Sequence, residues 1–378
     1  MDFGFSEEQE LLRQEVRKLL DAQAPLEQVR KLAETPEGFS RELWRQIAGL
    51  GWVGLAIPEA YGGAGLGWVD LAVVLEETGR TLFPSPLLAS AIAASAIADA
   101  GSEAQRRRWL PRIADGSTIA ALAVAETGER PAPEGIRLEG ALEGEGWSLR
   151  GDKIQVLDGA AAGLLVVAFR SGPAPTDLSL AVIERGAPGL AVVNTPSLVR
   201  TKRVARVRFD GARVASADVL APRVAWPALA RALDRAAAAV TAEMSGAAEG
   251  ALRLAVDYAR QREQFGAPIG RFQGVKHPLA EMYVDVESWK SLLYWAAWCI
   301  DTGDAEAPRA VSLAKAYASE AFARIGIDVV QLHGAIGYTW EYDAQLYLKR
   351  SKWARPMFGD SDFHYDRVAS RWRGAGAA

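Results

Sequence analysis

The segment that decides the fold lies between two long helical stretches in the second half of the chain. Residues 262–282 read REQFGAPIGRFQGVKHPLAEM. The stretch that leads into it, 228–264, is rich in Ala, Leu, Arg and Glu and has no interior proline, which predicts a long helix. The stretch that follows, 272–300, carries Pro278 near its start, where a helix tolerates proline. Helices of this length indicate a bundle, and such bundles often form the core of an oligomer.

Helical patterns also occur further along the chain and in its first third. A third long helix is predicted over 308–332 and a fourth after Gly359, so residues 222–378 are predicted to form a C-terminal four-helix bundle. In the first third, capping-box pairs at Ser6–Gln9 and Ser102–Gln105 predict two helix starts. Residues 1–118 are therefore predicted to form an N-terminal helical domain.

The pattern changes near Ile119. From there to about Leu220, short β-branched runs alternate with Gly, Pro, Asp and Asn, which is typical of strands. The predicted strands are 163–169, 178–183, 190–193 and 204–209. A β domain of the barrel or sandwich type is therefore expected over 119–221, which makes the chain an α+β protein of three domains.

Composition excludes several classes of function. The 378 residues include 43 Lys and Arg against 47 Asp and Glu, a formal net charge of −4 that disfavours general nucleic-acid binding. A single cysteine, Cys299, rules out an internal disulfide, a thiolate zinc site and an iron–sulfur cluster, and no metal site is expected. The sequence has neither a membrane-span pattern nor a secretory signal, so a cytoplasmic protein without membrane or nucleic-acid partners is expected.

Three segments together resemble one enzyme family. They are the 262–282 segment, QLHGAIGY at 331–338, and a first-third pattern of Trp44, Gly51-Trp52 and PEAYGG at 58–63. All three resemble the acyl-CoA dehydrogenase family of flavoenzymes, and the resemblance covers essentially the whole chain. The predicted order of helices, sheet and helices is also similar to the fold of that family.

The resemblance implies FAD as cofactor, a tetramer, and α,β-dehydrogenation of an acyl-CoA thioester, with an electron-transfer flavoprotein or similar acceptor. In that chemistry a base removes the α-proton while the β-hydrogen leaves as hydride to the flavin. Hydrogen bonds to the thioester oxygen stabilise the enolate that develops, and water must be excluded.

The resemblance also implies which residues bind FAD. Arg262 is expected to bond the pyrophosphate of a neighbouring subunit's FAD, and Phe265 to pack on its flavin or adenine. Gly334 and Ala335 would let the backbone approach the ADP half. The alternative for residues 266–268 is a simple turn between helices. The full set of expected cofactor residues is Arg262, Gln264, Phe265, Phe272, Gln273, Gln331, Gly334, Ala335 and Glu126.

The sequence departs from the family pattern at three places near the expected reaction centre. Phe358 stands where the family's usual catalytic glutamate is expected, and a phenylalanine cannot accept a proton. Leu157 stands where the family has a threonine beside the flavin N5. The segment 124–131 keeps Glu126 but lacks the glycine and serine that follow it in the family.

Two carboxylates are candidates for a relocated base. Some family members carry the glutamate on the first long helix of the C-terminal domain, but the matching residue here is Ala236. Glu243 lies seven residues further on, on the same helix face and about 10 Å along the axis, among small and apolar neighbours. Its alternative role is an ion pair with an arginine such as Arg235 or Arg253. Asp360 is the second candidate, with N-capping of the last helix as its alternative role.

Two functions follow from these observations. The first is an FAD-dependent acyl-CoA dehydrogenase with a relocated base, working as a homotetramer. The second is a partner subunit of an α₂β₂ heterotetramer that has lost its base and completes the FAD site across the interface. The three departures, at Phe358, at Leu157 and in the segment 124–131, fit the second function directly, because all of them concern the subunit's own reaction centre.

Overall fold

The computed structural model describes residues 4–128 and 130–375. The first part of the chain is helical, with α1 (Glu7–Gln23), α2 (Leu26–Glu34), α3 (Arg41–Gly49), α4 (Trp68–Arg80), α5 (Leu87–Ala100) and α6 (Glu103–Ala114). The strands are β1 (Ala120–Ala123), β2 (Glu139–Glu143), β3 (Gly146–Leu157), β4 (Leu164–Arg170), β5 (Leu178–Glu184), β6 (Leu190–Thr195), β7 (Val204–Ala215) and β8 (Val219–Leu220). The rest comprises α7 (Trp226–Gln261), β9 (Glu263–Gln264), β10 (Ala267–Pro268), α8 (Gln273–Thr302), α9 (Ala307–His333), α10 (Ala344–Ala354) and α11 (Ser361–Ala375).

Helix starts follow the capping signals in the sequence. The side chain of Ser6 accepts from the backbone N–H of Gln9 at 3.2 Å, and the Gln9 side chain accepts from the Ser6 N–H at 3.1 Å. The same reciprocal pair joins Ser102 and Gln105 at the start of α6. Both predicted capping boxes are therefore confirmed, because each satisfies N–H groups that the first helical turn leaves without partners.

The chain divides into two compact units. The helical unit comprises the residues up to Lys31, the segment Trp68–Phe83 and the chain from Ala237 onward. The sheet unit comprises Leu32–Gly67 and Pro84–Ala236.

The sheet unit is built on one mixed sheet. Its strand order is β6-β7-β3-β2-β4-β5-β8, and β1 pairs in parallel with β4. Strands β3 and β7 form the longest pairing, which is interrupted by irregularities between Leu149 and Arg150 and between Lys153 and Val156. Among the described strands no pairing joins β6 to β8, so the sheet is open and does not close into a barrel.

Backbone-to-backbone packing of α4 against α7 organises the helical unit. A Cβ atom at Gly246 of α7 would lie 1.7 Å from the carbonyl oxygen of Glu76 in α4. One at Gly79 of α4 would lie 2.0 Å from the carbonyl oxygen of Glu243. One at Gly250 would lie 2.5 Å from the carbonyl oxygen of Arg80. These three positions admit only glycine because the two helices touch through their backbones.

The predicted fold class is confirmed, with N-terminal helices, a central sheet and C-terminal helices. The structure adds elements that the sequence patterns did not predict: α2, the polar strand pair β2–β3, and α10 among the C-terminal helices. The domain boundaries at residues 118 and 221 stay a prediction. No helix in the described part of the chain is both long and apolar enough to cross a membrane.

We expect Gly246→Ala to lower the midpoint of thermal and urea unfolding. The added methyl would have to separate α4 from α7, and overpacking of this kind costs about 1–3 kcal/mol. The matched control is Gly274→Ala in the first turn of α8, where a Cβ meets nothing within 4 Å. Equal unfolding midpoints for the two variants would contradict the close approach of the helices.

Candidate functional site

The 262–282 segment begins with a tight hairpin. Strands β9 and β10 pair Gln264 with Ala267, which leaves Phe265 and Gly266 as a two-residue loop. Both loop residues have positive φ, 54° for Phe265 and 74° for Gly266, as a type I′ turn requires. A bulky residue seldom adopts such a backbone, and strain of this kind persists where the surrounding structure imposes it.

Phe265 is the most exposed large hydrophobic residue that the structure describes, with 92% of its surface accessible. Its ring meets the edge of Phe272 at a centroid distance of 6.0 Å and leaves the rest of its surface uncovered. Arg262 and Gln264 beside it are exposed as well. An aromatic ring held out in a strained turn is typical of a surface that another molecule covers.

The second motif segment packs against the end of α7, which leads into the hairpin. The Tyr258 hydroxyl, in the last turn of α7, donates to the carbonyl oxygen of His333 at 3.4 Å, and the rings of the two residues are tilted by 34° at a centroid distance of 4.4 Å. The end of α9 therefore contacts the last turn of α7. Gly334 has a φ of 63°, and a Cβ there would meet nothing within 4 Å. The exposed residues Arg262, Gln264, Phe265, Gln331, Gly334 and Ala335 are together called the motif surface.

The side chains of the motif surface fit the chemistry of FAD. An exposed guanidinium suits a pyrophosphate, an uncovered aromatic ring suits adenine or isoalloxazine, and a bare glycine allows close backbone approach. Arg262, Phe265 and Gln331 are the residues that would hold it. Phe272 is half-buried and Gln273 is exposed at the start of α8. The individual roles of all these residues stay predictions.

Glu126, the remaining predicted cofactor residue, lies in the sheet unit, where its carboxylate accepts three hydrogen bonds. Its carboxylate accepts from the backbone N–H groups of Arg137 and Leu138 at 3.0 Å each, and from Lys153 Nζ at 2.5 Å. Lys153 is fully buried and also donates to the carbonyl oxygen of Val124 at 2.9 Å. Burial lowers the pKa of Lys153 to about 8, although Glu126 favours its charged form. The carboxylate of Glu126 is thus engaged in holding this loop to β3.

Two of the three departures from the family pattern lie in the sheet unit. They are Leu157 and the segment 124–131, which contains Glu126. Leu157, at the end of β3, is buried and pairs with Val204 of β7. Its side chain offers no hydroxyl to a flavin. Of the segment 124–131, Glu129 lies outside the described residues.

Phe358 lies in the turn between α10 and α11 of the helical unit. Its side chain packs on a buried cluster that includes Ala237 and Ala238 of α7 and Ala314 of α9. Its φ is 57°, and the following Gly359 has a φ of 105°. A hydrocarbon ring therefore occupies the place where the family resemblance puts the base.

Asp360, the second candidate base, is exposed and caps α11. Its Oδ1 accepts from the backbone N–H of Phe363 at 2.9 Å, as an N-capping carboxylate does. The capping role foreseen as its alternative is therefore observed.

Glu243, the first candidate base, lies inside the helical unit. It is 5% exposed, and its Oε2 is 3.6 Å from Nη1 of Arg350 in α10, a residue only 2% exposed. Arg350 also donates from Nη2 to the carbonyl oxygen of Leu82 at 3.2 Å. Arg235, one of the two arginines named as its alternative partners, bonds Asp99 in the sheet unit at 2.8 Å.

Sequence reasoning missed the buried cations Lys153, Arg350 and Lys315. Each carries its charge into the interior and bonds residues at least 27 positions away or on another element. For Lys153 and Arg350, nothing nearby in the sequence marks the residue as buried. A lysine or arginine inside an otherwise apolar helical pattern is the one available signal, and Lys315, preceded by Ala314 and followed by Ala316, shows it.

Comparisons with known proteins agree with this geometry. The model of the acyl-CoA dehydrogenase N-terminal domain matches residues 6–117, and that of the C-terminal domain matches residues 226–372. The acyl-CoA dehydrogenase IpdE2 of Mycolicibacterium smegmatis is 33% identical over 357 residues, which cover 94% of this chain and 95% of the relative.

Two solved structures are similar over nearly the whole chain. The Tcur3481-Tcur3483 steroid ACAD, determined in a variant form, is 32% identical with a TM-score of 0.88 and covers 98% of this chain and 99% of that one. The ChsE4-ChsE5 complex of Mycobacterium tuberculosis is 28% identical with a TM-score of 0.90 and covers 99% of both chains. The chain therefore belongs to the acyl-CoA dehydrogenase family of FAD-dependent oxidoreductases.

Proposed function

We propose that this chain is one of two different subunits of a heterotetrameric acyl-CoA dehydrogenase and carries no catalytic base of its own. The observation that carries the proposal is Phe358, an uncharged side chain packed at the place where the family resemblance puts the base. Of the two carboxylates that could replace that base, Glu243 faces a buried arginine and Asp360 caps a helix.

The relatives support a mixed assembly. ChsE4 and ChsE5 are two differently named chains in one complex, and Tcur3481 and Tcur3483 are likewise paired as a steroid ACAD. In such an assembly the motif surface of this chain would complete the FAD site of the partner. Arg262 would supply charge to the pyrophosphate, and Phe265 would cover a ring of the cofactor.

FAD, when bound, supplies the hydride acceptor for the β-hydrogen of the acyl group. We propose a bulky, ring-bearing acyl-CoA as substrate, such as one derived from a steroid. The support for this substrate class is that one of the similar structures is a steroid ACAD. Electron-transfer flavoprotein as acceptor and a cytoplasmic location belong to the same proposal.

A second candidate function is a homotetrameric enzyme in which Glu243 is the base. The observation in its favour is that a carboxylate only 5% exposed lies among buried alanines of α7, where water is largely excluded from it. Its close approach to Arg350 argues for an ion pair instead.

Flavin content separates the two candidates. Purified alone, the chain should retain almost no FAD, and co-expression with a second acyl-CoA dehydrogenase chain from the same organism should raise it to about one FAD per two chains. Absorbance at the flavin band after denaturation gives the stoichiometry. About one FAD per chain without any partner would contradict the heteromeric proposal and support the homotetramer.

Arg262→Ala should weaken both FAD retention and assembly. The charge-assisted contact to phosphate that it removes contributes roughly 1.5–3 kcal/mol. Flavin content and sedimentation of the co-expressed complex measure the two effects. The matched control is Arg260→Ala, which removes an exposed arginine at the end of α7 just before the hairpin. If both variants behave like the wild type, Arg262 does not contact the cofactor.

Glu243→Gln should lower stability and leave the chemistry intact. It leaves Arg350 facing a neutral amide, at a cost of about 1–3 kcal/mol, while flavin reduction in the complex persists. Asp360→Asn serves as control, because asparagine still caps a helix. The measurement is anaerobic single-turnover bleaching of the flavin together with the melting temperature. A loss of bleaching of about 10²–10⁴-fold in Glu243→Gln with FAD still bound would instead identify Glu243 as the base.

A further inference from the structure

The turn between α10 and α11 presents backbone carbonyls to a buried lysine. Lys315 of α9 has no exposed surface, and its Nζ donates to the carbonyl oxygens of Arg355 and Gly359 at 2.9 Å each. The third donor goes to the Ser319 hydroxyl, also at 2.9 Å. All three protons of the ammonium therefore have acceptors, two of them in the turn that carries Phe358.

A buried histidine contacts a third carbonyl of this turn. His364 of α11 is 1% exposed, and its Nε2 lies 3.2 Å from the carbonyl oxygen of Phe358. Its Nδ1 lies 3.3 Å from the Ser312 hydroxyl of α9. Burial and the nearby positive charges of Lys315 and Arg367 lower the pKa of His364 to about 3, so the ring is neutral near pH 7. The contact with Phe358 is a hydrogen bond in the Nε2–H tautomer, because a carbonyl oxygen can only accept.

The turn needs such support because its backbone is strained. Phe358 has a φ of 57°, a value that a bulky residue adopts at a cost of about 1–3 kcal/mol. The next residue must be glycine, since a Cβ at Gly359 would lie 2.4 Å from the Phe363 ring and 2.8 Å from His364 Nε2. The direction of the Phe358 side chain therefore depends on contacts made by the turn's carbonyls.

We propose that Lys315 and His364 are positioning residues that hold the Phe358–Asp360 turn in its strained form and so fix the Phe358 ring against the cluster of α7, α8 and α9. The inference rests on the proposed function in one respect, which is that Phe358 takes the place of the base. The two residues act through the backbone of the turn and contact no substrate.

The charges around Lys315 predict the direction in which the stability of the closed turn changes with pH. Burial lowers the pKa of Lys315 to about 7, with Asp360 favouring the charged form and Arg355 opposing it. Glu320 bonds Arg355 and Ser361 at the rim of the turn, and neutral His364 faces it from α11. When the turn opens, Lys315 reaches water and regains the higher pKa of a free lysine. Protonation therefore favours the open turn, and the closed turn gains stability as the pH rises above 7.

Hydrogen exchange of the full chain tests the proposal without FAD or a partner. After correction for intrinsic exchange rates, protection of peptides covering 355–361 should rise about tenfold or more from pH 6 to pH 9 in the wild type. In Lys315→Met this pH dependence should vanish, and protection at pH 9 should fall about tenfold, because two carbonyls of the turn lose their donor. The control Lys352→Met, at an exposed lysine of α10, should match the wild type.

His364→Leu keeps the test decisive if Lys315→Met does not fold. It should lower protection of the turn about fivefold or more through loss of the bond to Phe358, while the rise with pH that Lys315 causes persists. Unchanged protection of 355–361 in either variant would overturn the proposal. So would an equal loss of protection throughout α8 and α9, since both residues would then support the core in general. Neither result depends on whether the chain binds FAD.

Discussion

Contact between the backbones of α4 and α7 is the constraint on which the helical unit depends. Helices whose side chains interlock stand apart by the width of those side chains, whereas Gly79 and Gly246 let these two touch. The approach brings the end of α4 to α10, where the Tyr347 hydroxyl donates to the Arg80 carbonyl at 2.9 Å and Arg350 reaches Leu82. Glu243 enters the same place from α7. The glycines therefore bring α4, α7 and α10 together in one region, because a larger residue at Gly79 or Gly246 would separate α4 from α7.

Regular periodicity was predictable from the sequence, and long-range charge pairing was not. The long helices follow from composition alone, and the capping boxes of Ser6 and Ser102 marked two starts within one residue. Strand β3 was not predicted because its polar residues, among them Asp152 and Lys153, break the alternation on which a strand prediction depends. Helix α10 was not predicted for a similar reason, since its buried face includes the charged Arg350. Charged residues in the interior are held by partners that lie far away in the sequence. A local sequence pattern contains no information about those partners.

The candidate site shows the same difference between residues that the sequence identifies and contacts that it does not. Residues with a family motif, such as Arg262 and Gly334, could be named from the sequence because the motif carries the information. The environment of Phe358 could not, because Lys315 and His364 reach its turn from other helices. A chain can thus lack a reactive side chain at one position and still keep an extensive set of bonds that holds the position in place. This is the reason that a missing carboxylate alone says little about how ordered its surroundings are.

The hairpin at Phe265 has a consequence for the kinetics of assembly. Its turn is already closed, with the N–H of Ile269 donating to the carbonyl of Arg262 at 2.8 Å and Gln264 paired with Ala267. The strained backbone and the outward ring are thus present before any contact is made. A partner that docks on this ring meets a preorganised projection and has no loop to fold, so little conformational entropy is lost on binding. Association at this surface would then be limited by diffusion and orientation rather than by rearrangement of the loop.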